Sequence, residues 1–168
     1  MTTTPSAPAK KKATFNTLTV SEVRALTEDS VEVSFAIPPE LQDDYDYIPG
    51  QYVALRATID GQEVRRSYSI CDVPRDGILR VAIKRDRGGV FSTWANDTLK
   101  PGDTMDVMNP QGAFTSKTHL TGLNNPEAVR EELEKLENPH LVAIAAGSGI
   151  TPIMAIAQTV LHLSLIHI

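Results

Sequence analysis

The sequence predicts an antiparallel β-barrel or β-sandwich followed by the beginning of an α/β unit. Six short segments that alternate apolar and polar residues, each bounded by turn residues, indicate the first part. A change to helical spacing after residue 124 indicates the second part. It is followed by a continuous apolar run and a glycine-rich turn.

Turn residues separate the six predicted strands. Asp60-Gly61 is a two-residue hairpin signal between the third and fourth strands. Asp76-Gly77 and Pro101-Gly102 precede the last two strands. The predicted strands are residues 17–23, 31–37, 51–59, 62–70, 78–84 and 104–108.

The region after the barrel carries the signals of a helix and of a parallel strand. Asn125-Pro126-Glu127 predicts the start of a surface helix over residues 126–137. Residues 141–146 are continuously apolar, as in a strand buried on both faces of a parallel sheet. A glycine turn and an apolar helix are predicted to follow.

These segments divide the chain into a disordered tail, a barrel, a linker and part of an α/β domain. Such a domain needs about 100 residues, so we expect this one to be incomplete. The apolar end has no polar face, and we expect the native chain to continue differently after Thr159 or Leu161. The four regions are residues 1–13, 14–116, 117–139 and 140–168.

Composition excludes several classes of protein. The net charge of −5 and the pI of about 5.3 disfavour a nucleic-acid partner. The single cysteine, Cys71, cannot form an internal disulfide or hold an iron–sulfur cluster, and we expect it to be a small core residue. The scattered histidines predict no metal site. The N-terminus lacks the apolar stretch of a signal peptide, so we expect a cytoplasmic protein without a membrane partner.

The first motif that carries chemistry is Arg66-Ser67-Tyr68-Ser69, on the fourth predicted strand. Alternation places Arg66 and Tyr68 on one face, with Ser67 and Ser69 on the other. An arginine can bind a phosphate while a neighbouring ring stacks on a flat heterocycle, and a serine can hydrogen-bond a ring nitrogen. The alternative is a plain hairpin strand with an exposed arginine and a half-buried tyrosine.

The second motif is Gly89-Val90-Phe91-Ser92, which follows Gly88 and precedes Trp94. Paired glycines let a ligand approach the backbone, and the N–H groups at a helix start bind anions such as a pyrophosphate. The alternative, which we favour for Phe91 and Trp94, is that these aromatic rings fill the core.

The third motif is Gly147-Ser148-Gly149-Ile150-Thr151-Pro152, between the apolar run and a helix. This context is typical of loops that bind phosphates. The loop is not a Walker motif, because no Gly-Lys-Ser/Thr follows. It is not a nucleophile elbow either, because Ala146 and Ile150 occupy the glycine positions of that motif.

The three motifs in this order resemble those of the ferredoxin–NADP reductase superfamily. The resemblance implies a six-stranded antiparallel Greek-key FAD-binding barrel followed by a nicotinamide-binding α/β domain. The surrounding residues look like the reductase subunits of bacterial phenylacetyl-CoA epoxidases. The segments that carry this closer likeness are Arg65 to Cys71, Lys84-Arg85 before Gly88 to Trp94, and Asn109 to Phe114.

The resemblance also implies roles for individual residues. Arg66 would bind the FAD pyrophosphate, while Tyr68 would stack on the flavin and Ser69 would hydrogen-bond near its N5 atom, which makes these two the catalytic candidates. Ser67 is a further cofactor-binding candidate in the same motif, and the strand candidates toward the ribityl chain are Val81, Ile83 and Lys84. The candidates at the FAD pyrophosphate are Gly89, Val90, Phe91 and Ser92. The candidates at the nicotinamide cofactor are Gly147, Ser148, Gly149, Ile150, Thr151 and Pro152, with Thr151 also near the flavin.

The function implied is an FAD-dependent oxidoreductase that takes hydride from NAD(P)H. In the full-length protein a [2Fe–2S] ferredoxin domain would pass the electrons to a di-iron oxygenase acting on phenylacetyl-CoA. The alternatives are the reductase of another aromatic oxygenase, a flavohaemoglobin-type reductase, and a barrel that binds a flavin or a partner without catalysis. The ferredoxin cysteines and the later nicotinamide-domain segments are missing here. We therefore expect FAD binding without full turnover, and NADH and NADPH stay equally open.

Overall fold

The computed structural model describes residues 11–75, 77–114 and 143–164, with side chains after Thr159 described only for Leu161. The strands are β1 (Phe15–Thr27), β2 (Ser30–Ala36), β3 (Tyr52–Ile59), β4 (Gln62–Ser69), β5 (Ile78–Lys84) and β6 (Thr104–Met108). The helices are α1 (Gln42–Tyr45), α2 (Val90–Thr98) and α3 (Ile150–Ser164), with 3₁₀ turns at Pro39–Leu41 and Gly147–Gly149.

The six strands form one antiparallel sheet in the order β4-β3-β6-β1-β2-β5. The two outer strands, β4 and β5, come together where the sheet curls, and Ile70 bridges to Val81 there. Because closure joins the edges of a sheet, this bridge makes the curled sheet a partly closed barrel. The predicted six-stranded antiparallel barrel is confirmed.

Local sequence explains the strands and the hairpin between β3 and β4. In β5 the side chains of Leu79, Val81 and Ile83 are all buried, while the residues between them are not. Asp60 and Gly61 both have positive φ angles, of 49° and 76°, as the tightest hairpin turns require. The predicted Asp60-Gly61 turn is therefore confirmed.

The core lies inside the curled sheet and under α2. Phe91 of α2 is buried within it, and Ala95 lies one turn later on the same face. Burial of such side chains stabilises each by about 1.5–3 kcal/mol before entropy is counted. The largest fully buried side chains are Phe35, Phe91, Leu18, Leu55, Ile70, Leu79, Ile83, Val20, Val33, Val53, Val81 and Val107.

The prediction of a buried strand over residues 141–146 is wrong for the part that the structure describes. Residues 143–146 form no strand and are exposed, and Ile144 is 88% exposed. An apolar run forms a buried strand only where other strands flank it, and every described strand belongs to the barrel. The turn and helix predicted after this run are confirmed. Residues 141–142 and the helix predicted over 126–137 lie outside the described residues.

None of the described helices combines the length and the apolar character needed to span a bilayer. Within the same described residues, no cluster of three or more histidine, cysteine, aspartate or glutamate side chains is arranged to hold a metal ion.

Gly50 provides a test of how the segment after β6 packs against the barrel. Its φ is +99°, and a methyl group on it would lie 1.8 Å from the carbonyl oxygen of Phe114. Gly50→Ala should lower the free energy of unfolding by about 3 kcal/mol or more, because backbone strain and steric overlap act together. The measurement is urea denaturation.

Gly61→Ala is the matched control, since its φ is also positive but no atom lies within 4 Å of the added methyl group. It should cost only about 1–2 kcal/mol. Equal losses in the two variants would contradict the close approach of Phe114 to Gly50.

Candidate functional site

The β3–β4 register places Arg66 and Tyr68 on the same face of the sheet. Arg66 lies opposite Leu55 and Tyr68 opposite Val53, and directly opposed residues share a face. By the same register Ser67 and Ser69 lie on the other face. The alternation predicted for this motif is confirmed.

Arg66 and Tyr68 precede the point where β4 meets β5. In the described part of the chain, the only ladder position that links these two strands is Ile70 with Val81. The strand pairing therefore stops before it reaches Tyr68. Helix α2 packs against both strands here. The opening bounded by β4, β5 and the start of α2 is called the β4–β5 gap below.

Tyr68 contributes a neutral aromatic ring to the gap. Its ring centroid lies 5.9 Å from that of Phe91, with an interplanar angle of 35°. Burial raises the pKa of Tyr68 to about 12, with a further contribution from Asp86 and an opposing one from Arg66. The phenol therefore stays protonated at neutral pH, and its uncharged ring can stack on a planar ligand.

Arg66 contributes an exposed cation to the same gap. Its Nη1 donates to the carbonyl oxygen of Arg65 at 2.7 Å, and among the described residues it has no carboxylate partner. Two other arginines of the barrel are paired with carboxylates, Arg85 with Asp97 and Arg56 with Asp106. Arg66 therefore has donors available for a phosphate, the group that its planar fork binds best.

The turn before α2 is built around the hydroxyl group of Ser92. This side chain is only 3% exposed, and its Oγ accepts a hydrogen bond from the Asp86 N–H at 3.0 Å. A methyl group on Gly89 would lie 2.5 Å from the same Oγ, so the glycine makes room for the serine. The Gly-x-x-Ser spacing therefore has a packing cause, and the serine hydroxyl stabilises the turn.

The start of α2 offers backbone donors to an anion. Gly89 is the N-cap and makes no side-chain capping bond, and the first helix bond runs from Thr93 N–H to the Gly89 carbonyl. The N–H groups of Val90, Phe91 and Ser92 therefore have no acceptor within the helix. The ring of Phe91 is in the core and Trp94 packs against it at 5.6 Å, so the core-filling interpretation of both rings is confirmed.

The candidates on β5 have different surroundings. Val81 and Ile83 place their side chains in the core, so only their backbone could meet a ligand. The Arg80 carbonyl accepts from the Cys71 N–H, and alternation directs the backbone groups of Ala82 and Lys84 to the same edge, toward β4. The sequence does not show which backbone edge of a strand is paired, so it did not distinguish Ala82 from its neighbours on the strand Val81 to Lys84, which was expected to meet the cofactor largely through its backbone.

The Gly147–Pro152 loop begins α3. Gly147 has a φ of +55°, and the hydroxyl group of Thr151 donates to the Ser148 carbonyl at 3.0 Å. Helix α3 approaches the barrel at Gly50, where an added methyl group would lie 3.3 Å from Ile156. The neighbouring Gln51 carbonyl accepts from Ile70 N–H, and so the helix approaches the barrel near the end of β4.

Tyr52 is a further residue of this region that the sequence did not single out. It lies opposite Ser69 in the β3–β4 register, and the residue is 37% exposed. A methyl group on Gly112 would lie 3.0 Å from that ring. Its position beside Ser69 depends on cross-strand register, which no local sequence signal shows.

A planar heterocycle joined to a diphosphate fits these groups, because an aromatic ring, a free guanidinium and a helix N-terminus meet at one gap. Comparison with known proteins identifies the ligand class. The sequence model of the family described as the oxidoreductase FAD-binding domain matches residues 17–116. The chain belongs to this family.

The FAD-binding domain is also similar to individual proteins. One component of the 1,2-phenylacetyl-CoA epoxidase of Escherichia coli (strain K12) is 43% identical over 149 residues, which are 89% of this chain and 38% of that protein. The ferredoxin reductase component of 3-ketosteroid-9-alpha-monooxygenase from Rhodococcus rhodochrous is 36% identical over 146 residues, 86% of this chain and 36% of that protein. The structure of the cytochrome P450 reductase GcoB of Amycolatopsis superposes with a TM-score of 0.67 at 27% identity, covering 90% of this chain and 40% of that one.

These likenesses confirm the predicted membership of the ferredoxin reductase superfamily. The chain spans less than half the length of each of these relatives.

Cys71 follows the flavin motif without having the properties of a reactive thiol. It is partly buried, and burial raises its pKa to about 12, with smaller contributions from Glu32 and Asp72. Since the thiolate is the nucleophile, this environment suppresses reactivity.

The FAD-binding domain should therefore resist alkylation at Cys71. At pH 9 an ordinary thiol is about half ionised, whereas a pKa of about 12 leaves about one thiol in a thousand ionised. Iodoacetamide should react with the native protein at least about 100-fold more slowly than with the protein unfolded in urea. Mass spectrometry measures the rate, and equal rates would contradict the burial of this thiol.

The coupling between Gly89 and Ser92 can be tested with a double-mutant cycle. Gly89→Ala should destabilise the domain by about 1–3 kcal/mol, because its methyl group overlaps the serine oxygen. The same substitution in a Ser92→Ala background should cost less, since the overlapping atom is gone. Urea denaturation of the four proteins measures the coupling, and strict additivity would contradict the contact.

Proposed function

We propose that the domain binds FAD across the β4–β5 gap and that the longer protein passes electrons from NAD(P)H to an oxygenase component. FAD binding is proposed on one observation. Arg66, a cation without a carboxylate partner among the described residues, lies on the same strand face as the neutral ring of Tyr68, and that ring is close to Phe91 at the start of α2. Family membership identifies the ligand as FAD.

Each group at the gap would bind a different part of the cofactor. Arg66 would donate to the pyrophosphate, together with the N–H groups at the start of α2, whose positive end favours an anion. Tyr68 would stack on the flavin ring. The backbone edge of Ala82 and Lys84 would follow the ribityl chain, and the side chain of Lys84 itself pairs with Asp29.

The flavin, when bound, accepts a hydride and releases electrons. In that chemistry, the residues of this chain would orient the cofactors. Ser69 lies one residue before the junction of β4 and β5, and we propose that its hydroxyl group hydrogen-bonds near the N5 atom. The Gly147–Pro152 loop would take the pyrophosphate of the nicotinamide cofactor, with Thr151 toward the flavin.

The names of two relatives support an oxygenase as the electron acceptor, since one is part of an epoxidase and the other is the reductase component of a monooxygenase. Phenylacetyl-CoA epoxidation is the more specific proposal and rests on the 43% identity to the epoxidase component. A [2Fe–2S] cluster would need cysteines beyond this chain, which has one. The cytoplasmic location is likewise proposed from the sequence alone.

Alanine substitutions in the flavin motif test FAD binding. Arg66→Ala should weaken FAD binding by about 10- to 100-fold, the usual effect of losing a charge-assisted hydrogen bond. Tyr68→Ala should weaken it by about tenfold through lost stacking. Quenching of flavin fluorescence, titrated with the purified chain, measures the affinity.

Arg24→Ala is the control, because Arg24 is an exposed arginine that pairs with Glu32 and lies on β1, a strand that does not border the β4–β5 gap. It should leave the FAD affinity unchanged. Wild-type protein that binds no FAD, or binding that survives both Arg66→Ala and Tyr68→Ala, would refute the site. A longer protein that binds FAD but is not reduced by NADH or NADPH would favour the non-catalytic alternative.

A further inference from the structure

Asn109 joins separate segments of the chain close to the proposed flavin site. It follows β6 directly and is only 2% exposed. Its Nδ2 donates to the Lys12 carbonyl at 2.9 Å, and its Oδ1 accepts from the Thr14 N–H at 3.0 Å. The same Oδ1 accepts from Nε2 of Gln111 at 3.1 Å. Both polar atoms of this buried side chain are therefore in use, so its replacement leaves buried partners unsatisfied.

Gln111 carries this connection to β3. Its backbone N–H and carbonyl both pair with Tyr52, each at 2.9 Å. The Gly112 carbonyl accepts from the side chain of Gln51 at 3.3 Å, and the backbone at Gly112 lies against the ring of Tyr52. Residues 111 and 112 therefore hold Tyr52 from the side opposite to β4.

Tyr52 in turn lies next to the reactive end of the proposed site. It is paired with Ser69, so the two side chains share a face at the short cross-strand distance. A continuous series of contacts thus runs from Asn109 through Gln111 and Tyr52 to Ser69.

We propose that Asn109 is a positioning residue for the Ser69 end of the flavin site. This inference rests on the proposed function. The side-chain hydrogen bonds of Asn109 reach Lys12, Thr14 and Gln111, and its effect on the site is expected to pass through Gln111. Without its side chain, the Gln111 amide, the Lys12 carbonyl and the Thr14 N–H lose the hydrogen bonds that Asn109 makes to them, and the turn after β6 is held less firmly. Tyr52 then loses its fixed position beside Ser69.

A double-mutant cycle on FAD binding tests the proposal. Asn109→Ala should weaken FAD binding by about tenfold, as loss of one net hydrogen bond predicts. It should also alter the visible circular dichroism of the bound flavin. Gln111→Ala should produce part of this effect, and the double variant should match Asn109→Ala, because the Gln111 side chain contributes through its hydrogen bond to Asn109.

Ile59→Val is the control for general destabilisation, because Ile59 is buried at the opposite end of β3 from Tyr52. It should lower the melting temperature while leaving the affinity and the flavin dichroism unchanged. Wild-type protein without FAD binding would refute the proposed function and this inference together. If the wild-type protein binds FAD, Asn109→Ala with unchanged affinity and dichroism would overturn the inference alone, and so would additive effects in the double variant.

Discussion

The partial closure between β4 and β5 is the constraint on which the rest of the structure depends. The bridge of Ile70 to Val81 joins the edges of the sheet, and the described residues show no further pairing of these strands toward Arg66. Full pairing would satisfy every backbone group of both edges and leave no entry between them. The incomplete ladder leaves an opening that α2 borders, and both Arg66 and Tyr68 are placed at this opening.

The closed end of the barrel is held by a largely buried ionic cluster around Arg80. Its Nη1 lies 2.7 Å from Asp72, and its Nε donates to the hydroxyl group of Ser34 at 3.1 Å. The hydroxyl group of Tyr47 donates to the Asp72 carbonyl. Removing one partner of such a cluster leaves a charge that is poorly solvated, so these residues fix the chain just after the junction. Rigidity at this end lets the strands separate at the other end without unravelling.

Sequence predicted the fold of the barrel better than the details of the site. Each of the six strands lies within a few residues of its predicted position, because alternation and turn residues are local signals. The strand predicted over residues 141–146 failed because an apolar run does not show whether neighbouring strands are present. Tyr52 was missed for a related reason, since its position depends on which strand edges pair. Alternation placed Arg66 and Tyr68 on one face correctly because it is a local signal, whereas their expected roles toward FAD came from the resemblance of the three motifs to a known family.

The Gly89–Ser92 turn and Arg66 meet different requirements, the first that of the fold and the second that of the proposed cofactor. The glycine and the serine fit each other, and the serine closes the turn on Asp86, so the barrel itself requires both. Arg66 forms no ion pair with a carboxylate among the described residues, so the barrel has no structural need of this arginine. A related domain that had lost its cofactor would therefore retain the glycine and the serine, whereas selection would no longer keep the arginine. If Arg66 binds the cofactor as proposed, the arginine on β4, and not the glycine motif, is the position that would distinguish a domain still binding its cofactor from one that retains only the fold.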